Sequence, residues 1–186
     1  MTAKRNDWHN ALVVGGTFLG VLMVMGLAVG VFPGLRELGI RPRTGWGLVG
    51  VFFGPLLHAN AAHLMANAIP CFVLLVLLFS DRHYRPSASL AIIWALAGLG
   101  TWLIGRGGAV HIGASSLIYG MVAYLVAAGW LRRSWRAAAV ALLVLALYGG
   151  LVYGVLPQRG PVSWEGHLCG AIAGVLAARW REQRMR

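Results

Sequence analysis

From Thr44 to Ser80 the chain runs for 37 residues without one charged side chain. Such a run is too long for one straight membrane helix, which needs about 20 apolar residues. Further uncharged runs follow between arginine-bearing breaks, and Ala11–Phe32 precedes it. Only 11% of the residues are charged and 59% are apolar, against about 25% charged in a soluble domain. A 186-residue globule keeps too much surface wet to hide that apolar content. The pattern excludes an ordinary soluble domain, a disordered chain and a nucleic-acid module, despite the net charge of +11. It leaves an all-α polytopic membrane protein, with the lipid bilayer as its surroundings.

The breaks divide the chain into six expected spans within a single membrane domain over residues 1–186. They run roughly over 11–32, 59–79, 87–105, 115–130, 137–156 and 164–181. Pro33-Gly34 ends the first and Pro157 the fifth, and Gly54-Pro55 interrupts the long uncharged run. An interfacial or re-entrant piece is expected over Trp46–Leu57. The sixth span is short, so Arg179 and Arg181 are expected to snorkel. The first run is too long for a signal-peptide core and reads as a retained helix. Cys71 and Cys169 lie in apolar runs and read as buried small residues.

Lysines and arginines set an orientation. With the N-terminus inside, the inner segments carry Lys4, Arg5, Arg82, Arg85, Arg132, Arg133, Arg136, Arg179, Arg181, Arg184 and Arg186. The outer ones carry Arg36, Arg41, Arg43, Arg106 and Arg159. The excess predicts both termini on the cytoplasmic side, as in a bacterial inner-membrane protein.

Polar groups inside a membrane are expensive and mark function. Three clusters occur. His58, His63 and Asn67 stand at the start of span two. Gly113-Ala114-Ser115-Ser116 opens span four, with Tyr119 one turn on. Gly166-His167 and then Gly170 and Gly174 lie in span six. Spans two, four and six all run inward, so the three clusters fall at one depth on the outer side.

A serine hydroxyl becomes a nucleophile when a base takes its proton, and a histidine titrates near neutrality. Ser115 and His167 fit those roles. His63 and Asn67 are four apart on one helix face and suit donation to a developing oxyanion, with the Ser115 backbone N–H. His58 and His63 lie roughly 140° apart on a helix, so they have different jobs. His58 is expected as a loop or cap residue that hydrogen-bonds the first loop. Gly170-x-x-x-Gly174 is also a close-packing face in its own right. His111 is ambiguous, and His9 and His83 read as loop residues. No H-E-x-x-H pattern occurs, and no metal or cofactor is implied.

Together these motifs resemble the rhomboid family of intramembrane serine proteases. Its members have a six-helix core and carry H-x-x-x-x-H-x-x-x-N in the second helix, here His58, His63 and Asn67. They carry G-x-S-x at the start of the fourth, here Gly113 to Ser116, and a histidine followed by glycines in the sixth, here His167, Gly170 and Gly174. The resemblance spans about Ala11 to Arg181. It implies a Ser115–His167 dyad without an aspartate, which suits spans free of carboxylates. It implies an oxyanion hole from His63, Asn67 and the Ser115 backbone. Tyr119 would pack on the catalytic histidine, and Gly170 and Gly174 would let span six approach span four. The implied substrate is a transmembrane or membrane-adjacent protein, cleaved at a peptide bond, with entry between spans two and five. Two departures stand out. Ser116 replaces the family's usual glycine, and the first loop has Gly45-Trp46-Gly47 with Arg43 upstream in place of a Trp-Arg pair. Ser116 motivates the alternative of an inactive rhomboid-like chaperone or adaptor that binds membrane helices. A third class, a small transporter with a histidine proton path, is disfavoured because Asp7, Glu37, Asp81, Glu165 and Glu182 lie at or outside span ends.

Overall fold

The structure, a computed structural model, describes residues 2–183, with side chains for 7–181. Of the charge tally, Arg184 and Arg186 lie outside the described residues, and the side chains of Lys4 and Arg5, like that of Glu182, lie outside the described side chains. Among the described residues seven α-helices form: α1 (Thr2–Val31), α2 (Val49–Phe53), α3 (Ala61–Phe79), α4 (Pro86–Ile104), α5 (Ser115–Leu131), α6 (Trp135–Tyr148) and α7 (Trp164–Gln183). No strand occurs among the described residues; Ile40 and His111 form one isolated antiparallel bridge.

Four described segments are long and apolar enough to cross a membrane: Asp7–Val31, Ala61–Phe79, Arg82–Ile104 and Trp135–Val155. The protein is an integral membrane helical bundle. α5 is shorter, 17 residues, and packs among the other helices. Its Leu117, Met121, Tyr124 and Leu125 are buried among Leu74, Leu78 and Ile93 of the neighbouring helices. By contrast, α1 packs along α3 and leaves Val24, Leu27 and Val31 exposed, as a lipid-facing helix would.

Local chemistry sets the boundaries. The Asn60 side chain accepts the His63 N–H at 2.8 Å, so α3 begins at Ala61. Pro86 opens α4 at its first turn. The Trp46–Leu57 piece is a string of short helical turns, Trp46–Leu56, rather than a span. Arg43 pins this first loop by donating to the Leu103 and Gly105 carbonyls, each at 2.9 Å. The fifth span, Trp135–Val155, changes its winding in its second half. Its α-helix stops at Tyr148, and Gly149–Val155 winds as a tighter 3-10 helix. Gly149-Gly150 gives the wide helix little support there. Arg179 is exposed as a snorkelling side chain is, but Arg181 turns inward and is buried, unlike the expectation. Cys71 and Cys169 are buried and free.

Close packing brings two of the helices carrying the polar clusters together. α7 lies directly on α5: a Cβ at Gly170 would collide with the Ser116 carbonyl, and one at Gly174 with the Gly120 carbonyl. Only hydrogen at these two positions permits that approach. At the far end of the bundle, Tyr124 and Ser89 both donate to the Tyr84 carbonyl at 2.7 Å, and Arg132 lies 4.9 Å over the Tyr84 ring.

Candidate active site

α5 starts at Ser115, so the serine carries its hydroxyl at a helix N-terminus, where backbone N–H groups lack helical partners. Across the α5–α7 contact, His167 sits in the first turn of α7. Its Nε2 is 2.9 Å from Ser115 Oγ. Its Nδ1 is 3.0 Å from the Gly154 carbonyl. A carbonyl only accepts, so Nδ1 carries the proton and Nε2 presents its lone pair to the serine hydroxyl. The Tyr119 ring stacks on the imidazole, with centroids 4.1 Å apart.

Ser115, His167, Tyr119, His63 and Asn67 all line one cavity of about 840 Å³ at this end of the bundle. Asn67 is buried and donates one amide N–H to the His63 carbonyl at 2.8 Å, leaving its second N–H. Gly113 precedes the serine with φ +116°, and a Cβ there would lie 2.7 Å from His63 Nε2. Glycine is therefore required twice over, by backbone conformation and by the histidine ring.

His58 lies in the loop before α3, and its contacts reach beyond the first loop. It is buried beneath the cavity, and its Nε2 accepts the Ala114 N–H at 3.4 Å, so it braces the turn before Ser115. Its ring meets His63 edge-on at 5.0 Å. Burial, and then the neighbouring His63, hold its pKa down to about 4 against the weaker effect of a Leu56 backbone hydrogen bond. It is thus neutral at pH 7 and able to accept. Ser116 does not line the main cavity; it lines a void of about 20 Å³ with Ser115, Thr101, His111 and Ser163.

Sequence reasoning missed several participants. The Gly154 carbonyl belongs to the main chain, and no side-chain pattern announces it. His111 Nδ1 lies 2.6 Å from Ser163 Oγ, and Arg106 Nε lies 2.9 Å from buried Glu165. An arginine–glutamate pair 59 residues apart carries no local signal.

A family model for the Rhomboid domain matches residues 45–182. The chain belongs to the rhomboid family. This rhomboid is 46% identical over 191 residues to an uncharacterized protein of Mycobacterium tuberculosis, covering 95% of this chain and 78% of the relative. It is 40% identical to an uncharacterized protein of Mycobacterium leprae, over 95% of this chain and 74% of that one. It is 29% identical to a putative rhomboid protein of Acanthamoeba polyphaga mimivirus, over 68% of this chain and 81% of that one.

Proposed function

We propose that this rhomboid is an intramembrane serine endopeptidase that cleaves transmembrane or membrane-adjacent proteins. The observation that carries the reading is the 2.9 Å approach of His167 Nε2 to Ser115 Oγ, with Nδ1 held by a carbonyl. His167 takes the hydroxyl proton as Ser115 Oγ attacks the scissile carbonyl carbon. The charge that forms on the carbonyl oxygen is met by the Ser115 N–H, Asn67 and His63. His167 then gives its proton to the leaving amine, and the C–N bond breaks. Water enters from the outer cavity and attacks the acyl carbon as it loses a proton to His167; His167 returns that proton to Ser115 Oγ as the acyl C–O bond breaks. A substrate helix has to unwind locally, because a helical carbonyl is already hydrogen-bonded and shielded by its own turn.

In the cell this reading places the chain in a bacterial inner membrane as one domain, with both termini cytoplasmic and the cavity on the outer side. The positive-inside distribution supports it. The adaptor reading rests on Ser116, whose backbone carbonyl lies under Gly170; the intact serine–histidine hydrogen bond favours the protease.

The test is labelling of the purified protein by a fluorophosphonate probe, with cleavage of a model transmembrane substrate alongside. Wild type labels at Ser115 and cleaves, and Ser115→Ala and His167→Ala do neither. A folded wild type that neither labels nor cleaves overturns the protease reading in favour of the adaptor.

A further inference from the structure

The hydrogen bond between His111 and Ser163 repeats the one between Ser115 and His167, four residues upstream in both strands of the chain. His111 precedes Ser115 by four positions, and Ser163 precedes His167 by four. Nδ1 of His111 lies 2.6 Å from Ser163 Oγ. Both residues are also tied at their own ends. The His111 backbone exchanges hydrogen bonds with Ile40, at 2.9 and 3.0 Å. Ser163 is the cap of α7: its Oγ accepts the Gly166 N–H at 3.2 Å and its carbonyl accepts the His167 N–H at 3.1 Å.

A second tie runs beside it. Arg106 donates from its two terminal nitrogens to the Gly160 and Val162 carbonyls, at 3.0 and 2.6 Å, and pairs through Nε with Glu165. One side chain thus holds the segment entering α7 to the turn that leads towards Ser115. Its partner Glu165 is only 2% exposed. Arg106 is itself partly exposed, so the pair adds little net stability, yet it fixes one arrangement because breaking it strands the buried Glu165 charge.

We infer that His111 and Ser163 are positioning residues that set the separation of Ser115 and His167, with Arg106 and Glu165 holding the segment in which Ser163 lies. This rests on the protease reading for its effect on turnover. The chemistry of the link is defined. Ser163 accepts from Gly166, so its O–H is free to donate to His111 Nδ1, and the ring's Nε2–H points to the Arg106 carbonyl at 3.4 Å. His111 is buried, at 5% exposure, and burial lowers its pKa, so the neutral ring this arrangement needs is the favoured form. Without the link, α7 keeps its packing on α5 through Gly170 and Gly174, but its first turn loses its lateral reference.

Two substitutions separate positioning from packing. His111→Phe keeps a flat ring, somewhat larger than imidazole, and lacks the acceptor. His111→Asn, which is smaller, controls for the change in size and puts an amide oxygen near the site of Nδ1. The first readout needs no turnover: imidazole 15N shifts of His167 in detergent-solubilised protein report its hydrogen bond to Ser115. His111→Phe moves the His167 Nε2 signal towards that of Ser115→Ala, and His111→Asn leaves it near wild type. The second readout is kinetic. His111→Phe lowers kcat about a hundredfold, the usual scale for a misplaced reacting group, with KM within about twofold. His111→Asn recovers most of the loss, and Ser163→Ala adds little to His111→Phe. Unchanged His167 shifts in a folded His111→Phe overturn the inference, as does equal loss in the Phe and Asn variants. If wild type fails to label with fluorophosphonate, the protease reading falls, and the 15N comparison still decides the positioning role.

Discussion

The Tyr119 ring lies flat against the His167 imidazole, 9° from parallel. The stack fixes the plane in which the imidazole can rotate, and the Gly154 carbonyl fixes its angle within that plane. Ring stacking is worth about 0.5–1.5 kcal/mol beyond burial. Tyr119→Ala therefore lowers kcat about tenfold in the cleavage assay, and Tyr119→Phe keeps most activity. An equal loss in both variants would show that the hydroxyl, not the ring face, matters.

Removal of one oxyanion donor typically costs about 10²–10³ in kcat. Asn67→Ala and His63→Ala are each expected to lose at least about a hundredfold, with KM little changed. Asn67 also ties its own helix through the His63 carbonyl. Thermal melting must accompany the kinetics, and a wild-type melting temperature with wild-type kcat in Asn67→Ala removes it from the oxyanion site.

The α5–α7 contact tolerates no side chain at its crossing points. Gly170→Val forces the helices apart at the Ser116 carbonyl. Overpacking of this sort costs about 1–3 kcal/mol, and the separation also breaks the Ser115–His167 hydrogen bond. The expected result is a lowered melting temperature together with loss of fluorophosphonate labelling. Gly16→Ala, where an added Cβ meets nothing, is the control and behaves as wild type.

His58 gives the fold an acid sensitivity. Its pKa falls from 6.5 when the chain is unfolded to about 4 in the fold, chiefly through burial. The folded state therefore disfavours the charged ring. Its contribution to stability is complete above pH 6.5 and declines as pH drops from 6.5 towards 4. In His58→Gln, which keeps an acceptor for the Ala114 N–H, the melting temperature falls less steeply over that range. Parallel curves for the two proteins would remove His58 as the source.

The fold class was legible because apolar runs and arginine breaks act through length and solvation, which need no tertiary information. Helix starts at Asn60 and Pro86 follow from capping and proline chemistry in the same local way. The site was legible where residues lie within one turn of each other, as with His63 and Asn67. Three things were not. The aim of the Gly154 carbonyl, from the 3-10 segment after Tyr148 to His167 Nδ1, joins positions 13 apart. The brace from His58 to Ala114 joins positions 56 apart. The inward turn of Arg181 depends on neighbours that hydropathy does not encode.

The acceptor on His167 Nδ1 is a main-chain carbonyl, and that has a consequence for how this centre can change. A triad carboxylate can be erased by one codon; the Gly154 carbonyl survives every substitution at its position. What substitution there does is push. A Cβ on residue 154 would collide with the Tyr119 hydroxyl and come within 3.3 Å of His167 Nδ1. The position thus contributes no side-chain chemistry, yet an added Cβ there must displace the Tyr119 ring that stacks on His167. A catalogue of this centre compiled from functional groups alone would leave out a point at which a single added methyl group disturbs it.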